Sequence, residues 1–444
     1  MSAARATESS HLRLPRSAAI GLVVSMAGSR VGLTALSLVA LMSCQERHAS
    51  RSSTKGAASA SGVSASNVSA SSTAQPGSAT QSSAACLKGG GLVVKDTTLT
   101  RACSPYELAR GLQVLDGATL TIEPGVELRF AADQGLEVGA ADGRAGRLVA
   151  EGSAEAPITL VAAGQTRADA KPQDSAWRGI RFYSGTLPGS VLAHARVSGA
   201  GLSQTAGAAA EEAGCVTVTG VKHGALRLVQ LQLESCNPAA LVLRGGGVQL
   251  SGLHFAHSSV GLSSDAQSAA ALPTDIEYRE VANNVITGGV ISDHTVWGPQ
   301  GRPFDVRGPV TVGGANRPAL ILQAGVELRF GAEAGLLVGT QGPGVLKAMG
   351  TRESPVKLQP LANGGAWRGL RFGAETLPGS SLEFTELSGA DGGVRIETPP
   401  KALSIQDSTL ANNAVDVAVV CRSEPKLTRV RYTSKRGLVR EPCK

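Results

Sequence analysis

The acidic residues between positions 265 and 294 are the side chains of this sequence best placed to do chemistry. Asp265 and Asp275 precede the adjacent pair Asp293-His294. Enzymes that hydrolyse glycosidic bonds use two carboxyl groups, one as an acid and the other as a base or nucleophile. We therefore take Asp265, Asp275, Asp293 and His294 as weak catalytic candidates. Each of them also fits a solvated turn or strand position, and no Asp-Asp pair accompanies them.

A hexapeptide that occurs twice offers a second acid and base. GVELRF stands at 125–130 and again at 325–330. In an extended strand Val126, Leu128 and Phe130 would share one face, and the Glu and Arg between them would share the other. The apolar face suits a buried interior, and exposed ion pairs contribute little. We interpret the hexapeptide as architecture that marks where each of two β units begins.

Metal-binding patterns are weak in this sequence. It contains no Cys-x-x-Cys, and His254 and His257 form its only close histidine pair. A spacing of three residues in a strand places two side chains on opposite faces. We therefore predict no metal site and no cofactor.

The charge is modest for the length of the chain. The net charge is +7 over 444 residues, and residues 1–43 account for +3 of it. The remaining +4 is spread over some 400 residues without a dense basic run. Nucleic acid is therefore not indicated as a partner.

Short strands in two similar units would position any functional residues. ATLTIEPGVELRF at 118–130 parallels ALILQAGVELRF at 319–330, and WRGIRF at 177–182 parallels WRGLRF at 367–372. Within each unit apolar residues alternate at a period of two, and Gly, Pro, Asn, Asp and Ser separate the runs. Strands that recur every 20–25 residues or so indicate the coils of a parallel β-helix.

Three motifs carry a resemblance to a known class of proteins. TLTIEPGVELRF, the pattern from Gly146 to Leu160 and the following WRGIRF resemble right-handed parallel β-helix repeat proteins of bacterial surfaces. The resemblance implies an all-β, right-handed parallel β-helix, which we divide into units at 86–286 and 287–444. It implies no catalytic residues, because the recurrent motif of those proteins is structural.

The amino-terminal region resembles the leader of a bacterial lipoprotein. Val31–Leu41 is apolar but too short to span a bilayer, which is typical of a signal peptide, here 1–43. Because Met26 to Arg30 would by itself make a compact positive region, we predict that translation starts at Met26. The sequence Leu-Met-Ser-Cys that ends at Cys44 resembles a lipobox, which implies cleavage before Cys44 and its acylation. A chance cysteine after an ordinary signal peptide is the alternative.

The lipid would anchor the chain to a membrane through a tether. Two or more acyl chains hold a protein stably on a bilayer. Gln45, where an inner-membrane retention signal would place Asp, favours the outer membrane by resemblance, on either its periplasmic or its surface face. Residues 44–85 are rich in Ser and Ala and lack large apolar residues, so we expect them to form a disordered, flexible linker.

The six cysteines beyond Cys44 fall into three pairs. Their separations are 17, 21 and 22 residues, close to one coil each. An exported chain keeps disulfides. We predict Cys86–Cys103, Cys215–Cys236 and Cys421–Cys443, although the sequence alone allows other connectivities.

Two other residue types have more than one interpretation. Trp177, Trp297 and Trp367 are predicted to pack inside the coils, with an exposed platform for sugar rings as the alternative. Asparagines follow strand ends at 237, 283–284 and 412–413. They fit either isolated turns or a ladder in which equivalent asparagines bond from coil to coil.

Three functions stay open from the sequence. The favoured one is a non-catalytic binding or adhesion scaffold for an envelope glycan or protein. The others are an inert structural component of the envelope and a divergent polysaccharide lyase or glycoside hydrolase. The oligomeric state is not specified by any pattern in the sequence.

Overall fold

The computed structural model describes residues 86–164, 177–201, 213–362 and 365–442. All of them belong to the second of two units into which the chain divides, Gln81–Lys444. Besides strands, the described residues hold two short 3-10 helices, Arg101–Cys103 and Ser268–Ala271. No helix of the described chain is long and apolar enough to cross a membrane. The predicted leader, Cys44 and tether lie outside the described residues.

The strands are short and follow one another closely. The first eighteen are β1 Gly91–Val93, β2 Thr97–Leu99, β3 Tyr106–Leu108, β4 Leu112–Val114, β5 Thr119–Ile122, β6 Glu127–Phe130, β7 Leu136–Val138, β8 Arg147–Glu151, β9 Ile158–Ala162, β10 Ile180–Phe182, β11 Ser190–Ser198, β12 Gly214–Thr219, β13 Leu226–Glu234, β14 Ala239–Arg244, β15 Val248–Ala256, β16 Val260–Ser264, β17 Glu277–Arg279 and β18 Asn283–Ile286. The others are β19 Gly289–Ile291, β20 Thr295–Trp297, β21 Phe304–Val306, β22 Val310–Val312, β23 Ala319–Gln323, β24 Glu327–Phe330, β25 Leu336–Val338, β26 Val345–Met349, β27 Val356–Pro360, β28 Leu370–Phe372, β29 Ser380–Glu383, β30 Thr385–Ser388, β31 Val394–Ile396, β32 Leu403–Gln406, β33 Thr409–Ala411, β34 Val417–Val420, β35 Lys426–Thr428, β36 Arg431–Tyr432 and β37 Leu438–Glu441.

Each strand pairs in parallel with the strand one coil further along. Gly91 of β1 lies opposite Leu112 of β4, 21 residues later. The coil that begins at β7 is longer, since Leu136 of β7 lies opposite Ile180 of β10, 44 residues later. The coils therefore stack into a solenoid, and the predicted all-β parallel β-helix is confirmed.

The coil changes shape along the first half of the stack. In the early coils three strands form three sides, as in β4, β5 and β6. The nine-residue strand β11 then spans two sides, since Val191–Ala193 pairs with β8 and Ala195–Val197 pairs with β9. Between these segments His194 takes a positive φ of 46°, which bends the strand at the former corner.

The second copy of the repeat is rotated about the solenoid axis relative to the first, so that each of its strands lies one side further round. The 14-stranded sheet begins with β1, β4, β7 and β10, the first strands of their coils. After β18 the same sheet continues with β21, β24 and β27, which are the third strands of their coils. Equivalent strands of the two copies therefore lie on different sides of the solenoid. The proposed unit boundaries remain a prediction, because the sheet runs through them without a break.

The two copies of the hexapeptide bury the same apolar residues, but they lie on different sides of the solenoid. Val126, Leu128 and Phe130 are fully buried, while the side chains of Glu127 and Arg129 are 36% and 37% exposed. The predicted alternation is confirmed. The hexapeptide does not begin its unit, however, because a complete coil, β1 to β3, precedes β6. β6 stacks between β3 and β9, whereas β24 lies within the 14-stranded sheet.

The tryptophans pack inside the coils, as predicted. Trp177 stacks on Phe130 with ring centroids 4.6 Å apart, and Trp367 stacks on Phe330 at 4.1 Å. Their indole N–H groups donate to the backbone oxygens of Ser198 and Ser388. The third, Trp297, is 1% exposed. None of the three therefore offers a platform to a sugar ring.

Left-handed corners stack on one another between neighbouring coils. Gly199, Ser235, His257 and Glu280 follow strand ends that pair in register, and each has a positive φ. A single residue with positive φ turns the chain at the corner, and glycine adopts this left-handed conformation at the lowest steric cost. The corner is thus set by backbone conformation rather than by one residue type.

The strand-end asparagines bond to backbone in the neighbouring coil. Oδ1 of Asn284 accepts from the N–H of Leu262 at 3.0 Å, and Oδ1 of Asn413 accepts from the N–H of Ala390 at 2.8 Å. This arrangement links coils as a ladder would. The bonding partner in each case is a peptide group and not an equivalent asparagine.

Two disulfides form where they were predicted. Cys86 is bonded to Cys103 and Cys215 to Cys236. Cys421 is also disulfide-bonded, and its predicted partner Cys443 lies outside the described residues. Disulfides persist in oxidising compartments, so the chain is extracytoplasmic.

The hexapeptide generates a stability prediction. Glu127→Gln with Glu327→Gln should lower the free energy of unfolding by less than about 1 kcal/mol, because both carboxylates point outward. Leu128→Asp should cost more than about 4 kcal/mol, because it buries an unpaired charge. Circular dichroism and thermal unfolding of the purified protein measure both. Comparable losses in the two variants would contradict the architectural interpretation.

The two copies of the hexapeptide arginine should differ in importance. Arg329 lies 2.9 Å from Asp305, whose side chain is 5% exposed, whereas Arg129 contacts the exposed Glu107. Arg329→Met should destabilise the fold by about 2–3 kcal/mol, because the buried carboxylate loses its cation. The matched variant Arg129→Met should cost less than about 1 kcal/mol.

The penalty at Arg329 should also depend on pH. Burial raises the pKa of the Asp305 carboxyl above its ordinary value, despite Arg329 and Asn283 beside it. A raised folded-state pKa gives stability that is present in acid and is lost as pH rises through that pKa. Arg329→Met should therefore cost more at neutral than at acidic pH. Urea unfolding at both pH values measures this, and a penalty larger in acid would contradict it.

Candidate ligand-binding groove

The first of the acidic candidates, Asp265, holds a turn. Its carboxylate accepts from the N–H of Gly245 at 2.7 Å and from the N–H and hydroxyl of Ser268, both at 2.8 Å. These contacts tie the end of β16 to the start of the 3-10 helix and to the coil before it. Three donors occupy the two oxygens, and all three are structural.

The other candidates also make local contacts and do not converge. Asp293 accepts from Ser292 at 3.1 Å and from Asn316 at 3.0 Å, and Nδ1 of His294 accepts from the N–H of Ala319. Asp275 is exposed in the turn before β17. No hydrogen bond or ion pair among the described residues joins one candidate to another.

The two neighbouring histidines lie on the same outer surface. His254 pairs with Glu277 at 2.8 Å and His257 with Glu280 at 2.9 Å, and both rings are about one third exposed. The expectation that they occupy opposite faces is wrong, because the positive φ of 51° at His257 interrupts the strand alternation. No cluster of three or more His, Cys, Asp or Glu that could hold a metal occurs in the described part of the chain.

A concave surface lies on a sheet of the second copy. Lys347 of β26 is in register with Ser381 of β29, which is in register with Ser404 of β32, and Ser404 faces Lys426 of β35. Outward positions in stacked parallel strands form a straight row. Here the row consists of two hydroxyls with a lysine at each end, and Lys401 borders it from the turn before β32.

The row forms the floor of a groove of about 590 Å³. Sites for small ligands commonly enclose volumes of this order. Met349, 48% exposed, adds an apolar surface, and Glu383 is the single carboxylate that lines the groove. The groove thus combines three lysines, three serines and one glutamate with the apolar side chains of Met349, Ala402 and Leu403. In this composition it can hold hydroxyl-rich ligands that carry negative charge.

Beyond the groove, positive charge accumulates at the end of the solenoid. Residues 421–444 contain eight Lys or Arg against two acidic residues. This stretch therefore carries +6 of the net +7, whereas the sequence total alone suggested a diffuse excess. Among the described residues β35, β36 and β37 each end their sheet, so the charges of residues 421–442 lie on the last described coil.

One cation of this end is neutralised by a neighbouring coil. Both oxygens of Asp407 accept from the guanidinium of Arg429. The hydrogen bonds from Arg429 lower the pKa of the Asp407 carboxyl to about 2, so the pair stays ionised throughout the physiological range. Asp407 and Arg429 occupy stacked left-handed corner positions, with φ of 52° and 51°.

The groove lysines were not among the residues predicted from the sequence. Lys347, Lys401 and Lys426 lie far apart in the chain, and lysine is a common surface residue. A usable signal was the separation of 25 residues between Lys401 and Lys426, which is close to one coil. The alignment of Lys347 with Ser381 depends on strand register, which is fixed only once the coils are stacked.

Comparisons with known proteins show sequence similarity over a short part of the chain. No protein-family model matches the chain, and no solved structure matches it. Protein bark beetle of Drosophila melanogaster is 37% identical over 113 residues. These residues are 25% of this chain, and the chain spans about 3% of the length of that relative. This chain is similar to a small part of that protein, and its function has to be argued from its own surface.

Proposed function

We propose that the protein is a lipid-anchored scaffold of the bacterial cell envelope that binds a glycan on the outer surface of its β-helix without cleaving it. The groove between Lys347 and Lys426 is the observation that carries the proposal. A row of outward hydroxyls and ammonium groups matches the hydroxyls and acidic groups of a sugar chain. The solenoid holds this row rigid, since each side chain stands on a strand that is paired on both sides or caps the stack.

The groove chemistry supports binding more than bond cleavage. Hydrolysis of a glycosidic bond needs two carboxyl groups across the substrate. Glu383 is the single carboxylate of the groove. The candidates Asp265, Asp293 and His294 lie elsewhere and hold turns through hydrogen bonds.

The proposed location is the outer membrane, through a lipid on Cys44. The disulfides support an oxidising, extracytoplasmic compartment. The lipobox resemblance at Cys44 supports lipid attachment, and Gln45 supports transfer to the outer membrane. The linker that follows Cys44 would leave the groove free to meet envelope polymers.

A glycan panel tests the binding function. The purified protein should retain at least one envelope polysaccharide or exopolysaccharide, with or without calcium, and should release no new reducing or unsaturated ends. Co-sedimentation and end-group analysis measure the two properties. New ends would favour a lyase or hydrolase, and absence of retention across the panel would favour an inert structural component.

Lipid attachment is tested separately in the producing cell. A clickable fatty acid fed to the cells should label the protein, and Cys44→Ser should lose both the label and the membrane fraction. Ser43→Ala, which keeps a small residue before the cleavage site, is the matched control and should retain both. Equal labelling of Cys44→Ser and the wild type would contradict the anchor.

A further inference from the structure

We propose that the glycan bound by this protein is acidic, and that it binds along the groove and onto the basic end of the solenoid. This inference rests on the proposed glycan-binding function and names the ligand class. We call the basic end the basic cap, which consists of Lys401, Arg422, Lys426, Arg431, Lys435, Arg436 and Arg440. Lys401 and Lys426 belong to the cap and also line the groove, so the two surfaces are continuous.

The cap is an unneutralised patch that follows a slightly acidic stretch of the chain. Residues 44–420 carry a net charge of −2, against +6 for residues 421–444. All seven cap residues are exposed. Among the described residues the ion pairs of this region are Arg429 with Asp407 and Arg395 with Glu441, and neither includes a cap residue. Such a concentration of like charge raises the local density of polyanions.

A fold gains nothing from holding these cations together. Lys426, Arg431 and Arg440 lie on β35, β36 and β37, which end three different sheets, and like charges gathered on one coil repel one another. Arg431 lies opposite Thr409 in strand register and Lys426 lies opposite Ser404, so neither is directly opposed by a carboxylate. An anion bound from solution would reduce this repulsion.

The spacing of the row suits an extended polymer. Coils stack at ~4.8 Å, so Lys347 and Lys426, three strands apart, are separated by roughly 14 Å along the axis. Each step is close to the length of one sugar residue in an extended glycan. An acidic glycan can therefore place its hydroxyls over Ser381 and Ser404 while its carboxylates reach the lysines at the two ends.

Glycan is a better match than single-stranded nucleic acid. Proteins that bind single strands combine basic grooves with aromatic side chains on which bases stack. The tryptophans of this chain are buried, and Tyr432, the aromatic residue of the last coil, packs against the core. Hydroxyls and the thioether of Met349 line the groove instead.

A charge-matched binding experiment tests the inference with the full-length protein in detergent. The probes are oligogalacturonate, its carboxyl-reduced neutral form and single-stranded DNA of equal charge. Calorimetry should show binding of oligogalacturonate that weakens with added salt. Lys401→Gln with Lys426→Gln should weaken it about 5- to 30-fold, as expected for two lost ionic contacts. The control Lys88→Gln with Lys95→Gln, at the opposite end of the solenoid, should leave it unchanged.

Each other result overturns a defined part of the argument. Equal binding of the neutral and acidic oligosaccharides would overturn the acidic class and leave glycan binding standing. Tighter binding of DNA would replace the glycan by another polyanion. If the control double variant lost as much affinity as Lys401→Gln with Lys426→Gln, the binding site would not be the basic cap. A protein that binds none of the probes, nor any member of the wider glycan panel, would remove the proposed function as well.

Discussion

The in-register stacking of apolar side chains from coil to coil is the constraint on which the rest of the structure depends. Leu128 lies between Tyr106 of the coil before and Leu160 of the coil after, and all three are buried. A slip of one residue would turn Arg129 into the interior and expose Leu128. Register is thereby fixed in every coil. Fixed register in turn aligns the outward residues into straight rows, including the row that forms the groove.

The features that follow from coil stacking could be predicted from the sequence, whereas the bent strand and the surface groove could not. The alternation around Leu128, the inward Trp177 and the cysteine pairs follow from local periodicity and coil length. The long bent strand β11 depends on the positive φ of His194, a conformation that is uncommon outside glycine and that no local pattern marks. The groove escaped prediction because it joins Lys347 to Lys426 through three pairing registers, none of which is visible in local sequence. The catalytic candidates were chosen by residue type, and type does not reveal that Asp265 caps a turn.

Duplication has kept the interior of the two copies alike and allowed their surfaces to diverge. Phe130 and Phe330 each stack on a tryptophan in the same geometry. Outside, the exposed Glu107 of the first copy corresponds to the buried Asp305 of the second. The turn by one side explains part of this difference, because equivalent strands meet different neighbours. Buried apolar side chains pack against other buried apolar side chains in either copy, so packing constrains the interior positions of both copies equally.

The disulfide between Cys86 and Cys103 decides how mechanical load would enter the solenoid. Hydrogen bonds between coils run along the axis, so a force on one end would peel coils away one at a time, beginning with strands of three residues. The bond connects the first described residue directly to a point beyond β2. A pull arriving from the residues before Cys86 therefore passes through covalent sulfur to Cys103. β1 and β2 are left inside a closed loop that carries no tension, and the first segment to bear force is the chain from β3 onward.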